Sequence, residues 1–316
     1  MDLYQKFRAQ EILNEIPSGN LIAAVSGGAD SVCLLHLLKR LAKERQWAPV
    51  AVHIQHHLRG EASLKDQRFV EGLAGKWGLD FEARGIHPPE GKKTEEKSRV
   101  LRYAQLAAAA SKRGSRAVLT AHNANDQAET FFLHILRGSG PDGLTGMPWS
   151  RPLSDLSGEP AHAGIHLIRP LLSFSRMEIL HYLKSQGIAF RTDQSNRNLQ
   201  YRRNWVRRKV IPLLEKAQPR LVERIASLAR LLREQKLFMD AQVETMEKRV
   251  IRWGGSPPGS RLDLGIFFEY NDYLRHYFLH RLQPQDSLRE IEAKLAFLKK
   301  RQKIPASLPF SGKSES

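Results

Sequence analysis

Cysteine is almost absent from this sequence, because Cys33 is the only one in 316 residues. A single thiol cannot form an internal disulfide, and it excludes a metal site built from several cysteines. Long apolar runs are absent as well, since no stretch approaches the roughly 20 residues that span a bilayer. Residues 1–17 predict an amphipathic helix without the apolar segment of a signal peptide. We therefore expect a cytoplasmic protein with no membrane partner.

Acidic residues are too few to balance the basic ones. The chain has 33 Asp and Glu against 50 Lys and Arg, which gives a formal net charge of +17. This excess favours a polyanionic partner, most simply a nucleic acid, although a uniformly basic protein is the alternative. The positive charge is clustered in residues 191–209, where Tyr201 and Trp205 lie among arginines. Arginines beside aromatic rings suit phosphate contacts and base stacking, so this segment is a candidate site for nucleic acid. The alternative interpretation is a solvated basic helix.

The glycine-rich turn at residues 26–31 lacks the lysine of a Walker A loop. It follows an apolar run, Leu21–Val25, and precedes a helical apolar pattern. Strand, glycine turn and helix together point backbone N–H groups and the positive end of a helix dipole at an anion. Asp30 would repel a phosphate unless a metal ion lies between them, so the turn predicts a magnesium–nucleotide site. The alternative is a structural turn whose serines cap the helix.

A second polar segment follows the predicted strand Ala117–Thr120. A helix that begins near Asn125 would bring three polar side chains to the strand ends that also carry the glycine turn. These side chains are His122, Asp126 and Glu129. The alternative is that the two acids only complement the positive end of the helix dipole.

Strand and helix patterns alternate through the first two thirds of the chain, which predicts an open parallel sheet with helices on both faces. His56 follows the predicted strand Val50–Ile54, where it could bond a phosphate, stack on a base or lie in a surface loop. Beyond Pro212, apolar residues recur at helical spacing. We therefore predict a catalytic domain over 1–212 and a smaller, mainly helical domain that contacts nucleic acid over 213–316.

The string S-G-G-x-D-S after an apolar strand resembles the pyrophosphate-binding loop of the N-type ATP pyrophosphatases, whose fold is like that of the adenine nucleotide alpha hydrolases. Further motifs, in their order and spacing, resemble the bacterial tRNA(Ile)-lysidine synthetases across most of residues 20–213. These motifs are AVSGGADS, HIQHHLRGE, TEEKSRVLRY, TAHNANDQAET, LRGSGPDGLTGM, RPLL and DQSNRNLQYRRNWVR. The resemblance thins after about residue 215.

The resemblance implies a two-step reaction on the wobble cytidine of a tRNA(Ile) with a CAU anticodon. ATP adenylates O2 of the base and releases pyrophosphate. The ε-amine of free L-lysine then attacks C2 and expels AMP, which gives lysidine. The cofactors implied are ATP and Mg²⁺, and the partners are the tRNA and lysine.

The resemblance also implies roles for individual residues. ATP binding falls to Ser26, Gly27, Gly28, Ala29, Asp30, Ser31 and His56. Asp30 would reach the phosphates through Mg²⁺, and it would act in catalysis with His122 and Asp126. The lysine ammonium would bind Asp126 and Glu129, and a carboxylate nearby could take a proton from the attacking amine. Phosphates of ATP or tRNA would meet Arg99, Arg102, Arg137, Arg203, Asn204 and Arg207.

Two positions depart from the family pattern, and other functions remain open. Asn125 stands where many relatives carry a second Asp, which leaves the carboxylate role to Asp126, and Gln55 replaces a common acid or His. A tRNA thiolase of the same superfamily is the nearest alternative, but such enzymes need sulfur-carrying or cluster-binding cysteines. GMP- and NAD-synthetase-like enzymes would leave the basic segment unexplained, and a non-catalytic RNA-binding protein would not need Asp30. The oligomeric state stays open, a homodimer included.

Overall fold

The computed structural model describes residues 2–55, 61–87, 94–192, 202–253, 260–283, 286–301 and 308–310. The chain divides into two compact units, Met1–Arg230 and Leu231–Ser316. The domain boundary predicted at 212/213 lies before this division and stays a prediction. Within the described residues, no helix has the length and apolar character needed to cross a membrane.

A six-stranded sheet forms the centre of the first unit. Its strands are β1 Gly19–Ala24, β2 Trp47–Gln55, β3 Asp80–Gly85, β4 Ala117–Leu119, β5 Ser150–Pro152 and β6 His166–Ile168. Their order is β3-β2-β1-β4-β6-β5, and every neighbouring pair is parallel except β5 with β6. The predicted open parallel sheet is therefore confirmed, except that its edge strand β5 is antiparallel.

Helices cover both faces of this sheet. The helices that begin in the first unit are α1 Leu3–Arg8, α2 Ala29–Arg45, α3 Glu61–Trp77, α4 Thr94–Lys112, α5 Ala124–Ile135, α6 Pro141–Leu144, α7 Ser154–Ser157, α8 Arg176–Ser185, α9 Arg202–Trp205, α10 Ile211–Ala217 and α11 Leu221–Val250. The predicted helix over 1–17 is in fact α1 followed by a separate 3₁₀ turn, Glu11–Glu15. A π turn, Val206–Val210, joins α9 to α10.

Strand β1 is buried on both faces, which explains why its sequence is almost continuously apolar. Leu21 and Ala23 pack into the apolar cluster that α2 and α8 cover, whereas Ile22 packs into the cluster on the α4 side. All three side chains are fully buried. Burial of a Leu or Ile side chain of this kind contributes about 1.5–3 kcal/mol, so β1 is held rigidly where it leads into the glycine turn.

The order of the strands places a ligand cleft. From β1 the chain proceeds to β2 and β3 on one side, and then returns to β4 and β6 on the other. Such a reversal opens a crevice at the carboxyl ends of the strands. Because β1 and β4 are neighbours, the turns that follow them lie at the same point of this edge.

The second unit is mainly helical, as predicted, and has its own core. Its described elements after α11 are β7 Ile251–Trp253, β8 Ser260–Leu262, α12 Leu264–Glu269, α13 Asp272–Leu282, α14 Leu288–Arg301 and β9 Leu308–Phe310. Met246, Phe267 and Phe278 are fully buried in its apolar cluster. The three short strands form an antiparallel sheet. Each of these strands has only three residues, which is too short for an alternation of apolar and polar residues to indicate a strand.

Candidate active site

The glycine turn after β1 is preformed by its own hydroxyl groups. Ser31 Oγ donates to the Gly28 carbonyl at 2.9 Å and lies 3.2 Å from Ser26 Oγ. Gly27 has a φ of +89°, which is costly for a residue with a Cβ. Gly28 is the N-cap of α2, and no side chain of the described residues caps this helix end. The first-turn N–H groups of α2 are therefore available to an anion.

A cleft of about 530 Å³ opens beside this turn. It is lined by residues from β1, β2, α3 and α4 and from the segment after β4, and these include Ser26, Asp30, His53, Ile54, Arg102, Tyr103, Thr120 and His122. Strand ends, a phosphate loop and apolar side chains thus surround one cavity, and its size is ordinary for a nucleotide-sized ligand. The structure brings Asp30, Arg102 and His122 together here, and their roles in binding and catalysis stay predictions.

Asp30 has two carboxylate oxygens in different surroundings. Oδ2 accepts a hydrogen bond from Nη1 of Arg176, the first residue of α8. Oδ1 is buried and accepts no hydrogen bond of ordinary geometry from the described residues, although the Asn123 side chain lies near enough to lower the pKa of this carboxyl. Burial raises the pKa of Asp30, and the charge of Arg176 opposes that shift. We call Asp30 and Arg176 the loop pair.

His122 is held by a hydroxyl group two residues before it. Its Nδ1 lies 3.0 Å from Oγ1 of Thr120. Burial lowers the pKa of His122 to about 3, although Asp126 opposes this shift, and the positive charge of Arg169 adds to it. The imidazole is therefore neutral at ordinary pH, and within the described part of the chain its Nε2 has no hydrogen bond and could serve a ligand.

Asp126 has a local structural role at the start of α5. Its Oδ2 accepts from the backbone N–H of Asn123 at 3.0 Å, and the Asn123 side chain accepts from the N–H of Asp126 at 3.2 Å. This reciprocal capping box stabilises the helix start. It leaves Oδ1 of Asp126 for other partners, so capping and a functional role are compatible.

Four of the predicted site residues form one charged network, which we call the helix cluster: Asp126, Glu129, Arg203 and Arg207. Glu129 is 0% exposed, and its Oε2 accepts from Arg203 Nε at 2.7 Å and from Arg207 Nη2 at 3.2 Å. Its Oε1 accepts from Arg207 Nε. Asp126 Oδ1 lies 3.4 Å from Arg203 Nη2 and 3.2 Å from Arg207 Nη2. The buried charge of Glu129 is thus compensated.

The helix cluster joins residues for which the sequence predicts separate roles. Asp126 and Glu129 are predicted to bind lysine, and the two arginines are predicted to bind phosphate. In the structure, each of these groups is the partner of another. The arginines come from α9 and the π turn, both of which pack against α5. π turns are frequent at functional sites.

The remaining predicted residues are distributed unevenly. The Arg99 guanidinium lies over the Tyr103 ring, 5.1 Å from its centroid, on the helix that lines the cleft. Arg137 is exposed beyond the last residue of α5, roughly 20 Å along the helix from its start, and it is not among the residues that line the cleft. Asn204 is half-buried on α9. His56 lies outside the described residues.

Sequence reasoning missed two arginines, Arg169 and Arg176. Arg169 directly follows β6, is 1% exposed and donates from Nη1 to the Pro148 carbonyl at 2.7 Å. Burial lowers its pKa to about 10. An arginine inside an apolar run, as in RPLL, is the signal that could have indicated Arg169. Nothing local indicates Arg176, because its partner Asp30 lies 146 residues away.

The fold and site have counterparts among known proteins. A family model described as the PP-loop domain matches residues 1–214. Because that match covers more than half of the chain, the chain belongs to the PP-loop family. The phosphate loop at residues 26–31 lies inside the matched region.

Curated relatives identify the group within the family. The tRNA(Ile)-lysidine synthase of Thermosynechococcus vestitus is 37% identical over 75% of this chain and 66% of its own length. That of a Synechocystis species is 36% identical over 72% of this chain and 67% of its own length. The chain thus groups with the tRNA(Ile)-lysidine synthases. It spans only about half the length of some other relatives of this name.

A solved structure supports the fold alone. The U34-tRNA thiolase from Methanococcus maripaludis, which was solved with its [4Fe-4S] cluster, is similar with a TM-score of 0.57. The likeness covers 73% of this chain and 78% of the thiolase, at 15% sequence identity. Identity this low indicates shared architecture and says nothing about chemistry.

Proposed function

We propose that this chain is an ATP-dependent tRNA(Ile)-lysidine synthase, which joins L-lysine to C2 of the wobble cytidine in a CAU anticodon. One observation carries the proposal: the phosphate loop and His122 line a single cleft, and Asp126 lies close enough to Asp30 and His122 to shift the pKa of each. A nucleotide-binding end and a charged reaction end thus belong to one site. Its family membership supports this assignment.

ATP binding is supported by the geometry of the loop. The uncapped first turn of α2 and the hydroxyls of Ser26 and Ser31 suit a pyrophosphate group. We assign the adenosine end to the apolar wall, where Val52, Ile54 and Leu106 line the cleft. This division follows the usual design of ligand pockets, in which apolar walls carry a few well-placed polar groups.

Mg²⁺ fits one residue of the site. The buried Oδ1 of Asp30 is an oxygen ligand of the type that Mg²⁺ prefers. No group of three or more His, Cys, Asp or Glu suited to a metal ion occurs in the described part of the chain. Mg²⁺ commonly binds one or two carboxylates plus substrate phosphates, so Asp30 together with ATP would be sufficient. When bound, the ion would neutralise phosphate charge.

His122 is proposed to act on the adenylation step as a neutral group. Attack of the cytidine O2 on the α-phosphorus breaks the bond to pyrophosphate and spreads negative charge over oxygens. A neutral imidazole can donate through Nε2 to such an oxygen if Thr120 donates to Nδ1. Its low pKa means that it contributes a hydrogen bond without a protonation step.

Lysine binding requires the helix cluster to exchange partners. Asp126 Oδ1 has only contacts of 3.2 and 3.4 Å with the arginines, whereas each oxygen of the buried Glu129 also accepts a shorter bond from the Nε of an arginine. Asp126 is therefore the better candidate to receive the lysine ammonium and to accept a proton from it. Glu129 would chiefly hold Arg203 and Arg207 near the phosphates of the tRNA.

The decisive experiment is incubation of the full chain with ATP, radiolabelled lysine and a CAU-anticodon tRNA(Ile), followed by nucleoside analysis. We expect labelled lysidine and release of AMP and pyrophosphate. The matched control is the same tRNA with a UAU anticodon, which offers no wobble cytidine. ATP consumption without labelled nucleoside would overturn the proposal.

A thiolase activity is not supported by this chain. Its only cysteine is fully buried in α2, and burial raises the pKa of the thiol. A buried neutral thiol is a poor sulfur carrier. A homodimer and a cytoplasmic location stay predictions, which light scattering of the purified chain and cell fractionation would check.

A further inference from the structure

Arg176 lies at the phosphate loop although its sequence neighbourhood gives no sign of a ligand. Its Nη1 donates to Asp30 Oδ2, and this side chain is 47% exposed. Asp30 is in the first turn of α2, the turn whose backbone N–H groups suit an anion. Arg176 is therefore a cation beside the position where a phosphate group would bind.

The loop needs such a cation, because Asp30 places a negative charge beside that position. A second carboxylate, Asp126, is near enough to add to the repulsion that Asp30 experiences. Two acids and a phosphate group would repel one another strongly in a partly buried site. The loop pair offsets one of these charges before any ligand or metal binds.

Arg176 is fixed by the start of α8. Ser175 is the N-cap, and its N–H donates to Glu178 Oε2 at 2.9 Å in a capping box. Glu178 is also bound by Lys6 at 2.8 Å, so it is already paired with a different cation. The guanidinium of Arg176 is thus directed to Asp30 from a rigid helix end.

The same helix end is joined to α5. The backbone N–H of Arg176 donates to Asn125 Oδ1 at 2.8 Å, and the N–H of Ala124 donates to the Phe174 carbonyl at 2.9 Å. Asn125 is compatible with this contact although it departs from the family pattern. An amide oxygen and a carboxylate oxygen can accept this bond equally well, so Asn at this position keeps Arg176 in place.

A guanidinium has five N–H donors, and one nitrogen of Arg176 serves Asp30. The remaining donors can bind phosphate oxygens in the planar, two-bond manner that arginine prefers. We infer that Arg176 is a further ligand-binding residue, which contacts the pyrophosphate group of ATP directly while it remains beside Asp30. This inference rests on the proposed use of ATP, but it is independent of lysine and tRNA.

The inference is tested by binding inorganic pyrophosphate to the full chain in EDTA, measured by calorimetry. Without divalent metal, the positive groups at the loop come from the protein alone. Loss of a charged hydrogen bond in Arg176→Gln should weaken binding roughly ten- to a hundredfold. Arg176→Lys should retain part of the affinity. Arg8→Ala is the matched control, since Arg8 is also an exposed arginine in an ion pair, with Glu44 at 3.1 Å, and it should bind like the wild type.

A second variant separates direct contact from simple neutralisation of Asp30. Asp30→Asn removes the repulsive charge, so it should tighten pyrophosphate binding in EDTA. Asp30→Asn combined with Arg176→Gln should still bind roughly ten- to a hundredfold more weakly than Asp30→Asn alone, because the direct contact is lost in both backgrounds. Equal affinity of the double variant and Asp30→Asn would show that Arg176 only neutralises Asp30, and it would overturn the inference.

Equal pyrophosphate affinity in the wild type and Arg176→Gln would also overturn it. Thermal unfolding of each variant shows whether it is folded, and Arg176→Lys provides the measurement if the glutamine variant is not. Because the readout is binding of pyrophosphate, failure of lysidine formation would leave this test intact. Conversely, loss of pyrophosphate affinity in Arg176→Gln would not by itself establish a lysine ligase.

Discussion

The loop pair and the helix cluster both join acids to arginines, but they are built differently. In the loop pair, one arginine binds one oxygen of Asp30 and the other oxygen accepts no hydrogen bond of ordinary geometry from the described residues. In the helix cluster, two arginines occupy both oxygens of the fully buried Glu129. The first arrangement leaves room for a ligand. The second must exchange partners before a ligand can enter.

This difference indicates how the acid of each site would respond to a ligand. An unpartnered buried oxygen is costly and gains by binding a metal ion or donor. A fully paired buried carboxylate loses by giving up its partners. We therefore expect substitutions in the loop pair to lower the enzymatic activity, and substitutions of Glu129 to lower the free energy of unfolding first.

The largest expected effect comes from Asp30→Ala. It removes the oxygen proposed to hold Mg²⁺ and should lower ATP–pyrophosphate exchange at least about a hundredfold, because each preorganised electrostatic group at a reaction centre is worth that much. Affinity for tRNA should stay nearly unchanged, since arginines hold the RNA. Filter binding of tRNA measures this. An equal loss of tRNA affinity would mean that Asp30 has a structural role.

Glu129→Gln tests whether the fully paired carboxylate of the helix cluster stabilises the fold. We expect the free energy of unfolding to fall by about 2–3 kcal/mol, below the 3–5 kcal/mol of a fully buried pair, because Arg203 and Arg207 are 37% and 39% exposed. Urea unfolding of the full chain measures it. The control is Glu44→Gln in the surface pair with Arg8, which should cost less than about 1 kcal/mol.

Kinetic measurements on variants of Asp126 and Glu129 distinguish the roles of these two acids. Asp126→Asn should raise the KM for lysine roughly ten- to a hundredfold, with the KM for ATP little changed. Glu129→Gln should raise it as well, since its loss frees the arginines to compete for Asp126. If only the KM for ATP rises in both variants, the helix cluster belongs to the nucleotide site and lysine binds elsewhere.

The pH dependence of stability tests the environment of His122. Its pKa is about 3 in the folded chain and about 6.5 in an unfolded one. Between these values the unfolded chain binds a proton that the folded chain does not, so stability falls as the pH decreases through this window. His122→Asn should reduce that loss by about 1–2 kcal/mol between pH 7 and 5. Urea unfolding measures this loss, and an equal loss in the wild type and in His122→Asn would contradict the assignment.

The smallest effect is expected outside both sites. Arg137→Ala should lower the log–log salt slope of tRNA binding by about 0.7–0.9, the value of one phosphate contact, and leave stability unchanged. Arg203→Ala with Arg207→Ala should lower both the slope and the free energy of unfolding, because Glu129 would be left buried without a partner. An unchanged slope for Arg137→Ala would remove it from the interface.

Much of the fold follows from local sequence. The apolar run before the glycine turn predicts β1, and the turn predicts the phosphate loop, because each depends on residues within a few positions of one another. The capping box of Asn123 and Asp126 is equally local. The short strands β7 to β9 and the break after α1 are not predicted, because pairing and packing override weak local preference there.

What the sequence alone determined, therefore, is the class of site: a phosphate loop after a buried strand, polar residues after a neighbouring strand, and a basic segment suited to nucleic acid. Only the tertiary structure decided which charges meet. Asp30 and Arg176 lie 146 residues apart, and Glu129 lies 74 and 78 residues from Arg203 and Arg207. Such pairs depend on the order of the strands and on how α5, α8 and α9 pack beside them. A list of charged residues does not contain that information, because Coulomb attraction depends on distance and burial in the folded chain.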